Sequence, residues 1–124
     1  MPTEHQIIAG RFKELIGQES RAFPKPREQV DAPTKPGVYI IYRGGVVLHV
    51  GRTVRGKNGI RQRLNNHLHN ASSFTNTYLD GNGEELRSKK YSYKYLVVQN
   101  SRKRALLENY AICMLCPKHL GLGE

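Results

Sequence analysis

A chain of 124 residues, 38% of them hydrophobic, is long enough for one core and too short for two independent ones, so one domain is expected. Twenty Lys and Arg against ten Asp and Glu leave a formal charge of +10, which points to a polyanionic partner; with no amphipathic membrane segment in view, a nucleic acid fits best. The longest stretch without Asp, Glu, Lys or Arg, Leu64 to Leu79, is short and polar and the N-terminus lacks the apolar core of a signal peptide, which excludes a bilayer-spanning segment and sets the expectation of a soluble, cytoplasmic protein.

In chain order, Ile7, Ile8, Phe12, Leu15 and Ile16 fall close to helical spacing and predict an amphipathic helix over residues 4 to 17. Four prolines between Phe23 and Pro36 forbid a regular helix and mark an extended connector. A hairpin follows. Its apolar sets Val38, Ile40, Tyr42 and Val46, Leu48, Val50 alternate, so each set belongs on one buried face. Closing it with Arg43-Gly44-Gly45 as a three-residue turn pairs 42 with 46, 40 with 48 and 38 with 50, and puts Tyr39 opposite His49 on the other face.

Beyond the hairpin, Ile60, Leu64 and Leu68 form one stripe of a helix over residues 59 to 69. From Ala71 to Lys90 the composition turns to Ser, Thr, Asn and Gly and reads as a long surface excursion. Tyr91 to Val98 alternates as a third strand, and Ser101 is expected to cap a helix running to Pro117. The order implies an α+β fold, a small three-stranded antiparallel sheet flanked by helices.

Three groups of residues carry chemistry. Tyr39 and His49 would stand side by side as proton-transfer groups. Arg63 and His67, four residues apart, share a face at the edge of the apolar stripe, where a guanidinium can hold a phosphate in two bonds and an imidazole can bond another oxygen or donate a proton. Glu108 interrupts a helix that reads as apolar almost all round between Ala105 and Cys116. A bare carboxylate there requires a cation, either a core arginine such as Arg104 or a bound divalent metal. Cys113 and Cys116 read as core residues in a reducing compartment. With His119 they spell C-x-x-C-x-x-H, but no fourth zinc ligand is evident. Arg52, Arg55, Lys57 and Arg61 follow the hairpin closely and form a candidate path for a nucleic-acid backbone.

The set Gly37-Val38-Tyr39, His49-Val50-Gly51-Arg52-Thr53, Arg63 with His67, and Glu108 resembles the GIY-YIG nuclease superfamily in order, spacing and element type, over roughly residues 35 to 117. The resemblance implies a metal-dependent endonuclease that hydrolyses phosphodiester bonds, with DNA as the expected substrate and Mg2+ or Mn2+ as cofactor. Tyr39 would act as general base or water-positioning group, Arg63 would steady the attacked phosphate, His67 would match a histidine found in a subset of members, and Glu108 would bind the metal. Residues 1–34 would be a helix and connector packing on a nuclease domain of residues 35–124. Two positions depart from the family pattern: His49 stands where tyrosine is usual, and the asparagine expected shortly after Pro117 is absent, His119 being the nearest substitute. A histidine could itself accept the proton. The alternative is a catalytically weakened or inactive nucleic-acid-binding module with the same fold. With Glu124 as the end of the chain, specificity is expected to come from the 71 to 90 excursion, the N-terminal helix or a second subunit, as in a homodimer.

Overall fold

In a computed structural model describing residues 1–54, 58–69 and 71–120, the chain forms a sheet with helices on both faces. The elements are α1 (Glu4–Ile16), β1 (Arg21–Ala22), β2 (Gly37–Arg43), β3 (Val46–Arg52), α2 (Gly59–Leu68), α3 (Ser73–Tyr78), a 3-10 turn (Gly83–Arg87), β4 (Tyr91–Val97) and α4 (Ser101–Leu115). The sheet is antiparallel in the order β1-β4-β2-β3. It therefore has four strands where the sequence predicts three, because the two residues of β1 add a short edge to β4. Among the described residues no helix is long and apolar enough to cross a membrane.

Both faces of the hairpin are buried, and this changes its register. On one face Val38, Ile40 and Val50 pack against Ile8, Phe12 and Leu15 of α1 and Leu107 and Ala111 of α4. On the other, Tyr39, Ile41 and Leu48 pack against Ile60, Leu64 and Leu68 of α2 and Phe74 of α3. With apolar residues demanded on both sides, alternation cannot fix the pairing. The turn is the two residues Gly44-Gly45, with Gly44 at φ +59°. Arg43 pairs with Val46 and Tyr42 with Val47, then a bulge absorbs Leu48 and Ile41 pairs with His49. Tyr39 consequently faces Gly51, not His49 as the three-residue turn requires. Val46, expected in the core, is 46% exposed.

Local capping explains where the helices begin. Thr3 and Gln6 form a reciprocal capping box at α1. α2 has no side-chain cap; instead Ile60 and Arg61 donate their N–H groups to the carbonyls of Lys35 and Pro33, so the proline-rich connector closes this helix end. α4 is capped by Asn100, whose side chain accepts from the Lys103 N–H, and not by Ser101.

Two further expectations are corrected. The 71 to 90 stretch is not a surface excursion, since Phe74, Thr75 and Leu86 are fully buried and Leu79 nearly so. Ser72 caps α3 and Thr75 is a buried hydrogen-bonding group, roles that polar composition alone conceals. Cys113 and Cys116 are exposed, not core residues. α4 lies in an outer layer and buries only Arg104, Leu107 and Ala111, leaving Met114 more than half exposed. Arg104 spends its guanidinium on the carbonyls of Thr53, Val98 and Gln99 at 2.8 to 3.1 Å, tying the exit of β3 to the start of α4.

Candidate active site

β3 is an edge strand, and its C-terminal end is where the two layers of helices meet. A cavity of about 350 Å³ there is lined by His49, Gly51, Arg52, Arg63, Ser73 and Glu108, among others. Tyr39 and Glu108 belong to opposite faces of the sheet, Tyr39 beneath α2 and Glu108 on the helix that covers the other face. They approach the same place around the open edge of β3. Gly51 makes this passage, because a Cβ there would collide with the Tyr39 hydroxyl and lie 3.1 Å from His49 Nε2.

Tyr39 is completely buried, not the exposed phenol that a one-faced hairpin implies. Its hydroxyl lies 2.7 Å from His67 Nε2, and His67 Nδ1 lies 2.6 Å from Ser72 Oγ. The proton positions follow from the far end of this chain. Thr75 Oγ1 donates to the His67 carbonyl, so Ser72 must donate to Thr75, and Ser72 Oγ is left to accept from His67 Nδ1–H. His67 Nε2 is then bare and accepts the Tyr39 proton. Burial holds His67 well below its usual pKa, reinforced by His49, Arg63 and His119. Burial also pushes the Tyr39 phenol up to about 12, against the pull of the Arg63 cation.

His49 stacks on Phe74 with ring centroids 5.0 Å apart and lies edge-on to His67 at the same separation. Its Nδ1 is 3.1 Å from Nδ1 of His119, while its Nε2 is buried with no partner among the described residues. Burial, His119 and Arg63 bring its pKa down to about 3, so the ring is neutral at physiological pH. His119 arrives because Lys118 and His119 donate backbone N–H groups to Val47 and Leu48, extending the chain along the free edge of β3. With His119 so engaged, no group of three metal-ligating residues exists among the described residues, and the C-x-x-C-x-x-H reading fails.

Glu108 is half-buried, and its Oε1 accepts from Arg52 Nη1 at 2.6 Å. Its cation is thus Arg52, not Arg104. Burial raises the Glu108 carboxyl above the usual range, and Arg52 opposes that rise. Arg63 is half-buried at the same cavity. One carboxylate lining an open cavity is the kind of donor with which Mg2+ keeps several waters and shares phosphate oxygens, but Arg52 competes for it here.

The remaining candidates do not join this group. Arg61 donates to the Ala32 carbonyl and lines a separate cavity with Arg27, Arg87 and His69. Arg55 and Lys57 lie outside the described residues. Sequence reasoning overlooked Ser72 and Thr75; the only local signal was a serine three residues before a threonine at a helix start, a capping pattern.

No protein-family profile and no curated protein matches the sequence. Solved structures do. The GIY-YIG N-terminal endonuclease domain of UvrC from Thermotoga maritima, bound to magnesium as its catalytic divalent cation, matches with 28% identity and a TM-score of 0.52, covering 71% of this chain and 85% of that one. Two point mutants of that domain, also bound to the catalytic divalent cation, match with the same identity and TM-score, covering 71% of this chain and 84% and 85% of theirs. The resemblance read from the motifs therefore holds, and the chain has a GIY-YIG-like α+β fold.

Proposed function

We propose that this protein is a metal-dependent endonuclease that hydrolyses phosphodiester bonds in DNA. The observation that carries the reading is the meeting of His49, Arg63 and Glu108 in one cavity, with the Tyr39–His67 pair directly behind it. Arg63 offers a fixed cation to the phosphate and to the charge that grows on it during attack. The Tyr39 hydroxyl and His49 Nε2 both approach Gly51, which lines the cavity, and the attacking water would enter from the cavity side. Glu108, with water and phosphate oxygens, would hold Mg2+ or Mn2+, which when bound supplies Lewis-acid stabilisation of the leaving oxygen. The surplus of basic residues draws the polyanion in, with the salt dependence that follows.

One observation favours a second reading, a nucleic-acid-binding module that does not cut: the Arg52–Glu108 pair already neutralises the carboxylate. A supercoiled plasmid incubated with Mg2+ separates the two. Nicking or linearisation by the parent chain, lost by roughly 100-fold or more in Arg63→Ala and Glu108→Ala, supports the nuclease. A salt-sensitive gel shift with intact DNA under every divalent metal supports the binding module. Undiminished cutting by both variants rejects this site.

A further inference from the structure

His49 and His119 are 70 residues apart in sequence and share a single hydrogen bond between their Nδ1 atoms. One of the two must donate, and the choice decides whether the buried His49 Nε2 beside Gly51 carries a proton or a lone pair. If His119 donated, His49 would carry its own proton on Nε2, a fully buried donor with nothing among the described residues to receive it. Orphaned buried N–H groups are rare, and a bare nitrogen lone pair is the less costly of the two. If His49 donates, the remaining proton of His119 sits on its Nε2, which is not among the buried unpartnered atoms. No N–H of the pair is then left buried without a partner among the described residues. Neighbouring groups favour the same arrangement. Tyr39 already donates its hydrogen bond to His67, so it asks nothing of His49, and the cation of Arg63, which lines the same cavity, favours a lone pair over an N–H on the nitrogen nearest to it. Phe74, stacked on the ring, holds its plane.

We infer that His119 is a positioning residue that fixes His49 in its Nδ1–H form, so that the Nε2 lone pair beside Gly51 is the hydrogen-bond acceptor that orients the attacking water. The inference rests on the nuclease reading for its catalytic consequence. In the step it serves, an O–H bond of water breaks and its proton leaves to solvent, since burial and Arg63 oppose a charge on His49, while the Nε2 lone pair holds the water by its other O–H. The electron pair of the broken bond forms the new bond to phosphorus, and the leaving oxygen takes a proton from solvent. His119 touches neither water nor phosphate. It acts through the ring it orients, in the manner of an outer partner that sets a histidine tautomer. Its backbone bond to Leu48 locks it to the same bulge that re-aims β3.

Two measurements test this. Long-range proton–nitrogen NMR on the full-length parent chain at neutral pH should show His49 protonated at Nδ1 and bare at Nε2, with His119 bare at Nδ1. The reverse tautomer at His49 overturns the inference, whatever the chain does to DNA. In the plasmid assay, His119→Phe should lower kcat by roughly 10- to 100-fold with KM little changed. His119→Asn, whose amide oxygen can accept from Nδ1–H, should recover most of the rate. Parent-like cutting by His119→Phe, or equal loss in both variants with folding intact, overturns it. If His119→Phe does not fold, the tautomer in the parent chain decides alone. A parent chain that fails to cut counts against the nuclease reading only, and the NMR result stands apart from it.

Discussion

Arg52 Nη1 meets Glu108 Oε1 at 2.6 Å, joining the last residue of β3 to the middle of α4 across the mouth of the cavity. This pair sits where a divalent cation would be held, and two cations cannot share one carboxylate without repulsion. Arg52→Ala is therefore expected to tighten Mg2+ binding by roughly fivefold, about 1 kcal/mol for a half-shielded pair. Calorimetric titration of metal into parent and variant checks it; unchanged or weaker affinity would place the metal away from Glu108.

The relay from Tyr39 through His67 and Ser72 to Thr75 gives a stability prediction that does not depend on activity. Ser72→Ala removes the acceptor of His67 Nδ1–H and also the cap of α3. A loss of about 1–2 kcal/mol is expected from a buried donor left unpaired together with a missing cap. Urea unfolding measures it, and a change below about 0.5 kcal/mol would mean that the relay is not held as described.

Stability should depend on acid through the imidazoles. His49, with its pKa down to about 3, and His67, also held well below its usual value, remain neutral in the folded state. In the unfolded chain both protonate near pH 6.5. Below that pH the unfolded state binds more protons, so stability falls as the medium is acidified from about 6.5 towards 3 and is flat in this respect above. Each group removes up to about 1.4 kcal/mol per pH unit. Urea midpoints between pH 7.5 and 4.5 should show the slope, and His49→Gln should flatten it; a slope unchanged by that variant contradicts the neutral buried ring.

Gly51 has a steric duty. An added Cβ would lie 2.5 Å from Tyr39 Cζ and 3.1 Å from His49 Nε2, both on buried rings with no room to retreat. Gly51→Ala is expected to cost about 1–3 kcal/mol by overpacking and to abolish plasmid nicking while leaving the gel shift intact. Thermal unfolding and the two DNA assays together check this, and normal nicking would show that the water site lies elsewhere.

Much of the site was legible because its members lie on elements whose periodicity is local. Arg63 and His67 follow from one helical turn, and Ile60, Leu64 and Leu68 beside them fix which side faces the sheet. The order Tyr39, His49, Arg63, Glu108 was enough to indicate the fold that the solved structures bear out. The identity of Glu108's partner was not legible: Arg52 is 56 residues away, and only packing tells it apart from Arg104. Nor was the burial of Ser72 and Thr75, since a hydroxyl aimed into a core and one facing water read alike in sequence.

The sequence by itself determined where α1, the hairpin strands, α2, β4 and α4 form and which side chains carry the family resemblance, because propensity, capping and periodicity act within a few residues. Only the tertiary structure decided the hairpin register, since helices cover both faces of the sheet and either alternation would bury apolar surface. It alone brought the carboxylate of one face to the cavity at the edge of β3, set the buried phenol of the other face against Gly51, and brought His119 to His49, because such meetings depend on how whole layers pack and not on any residue's neighbours in the chain.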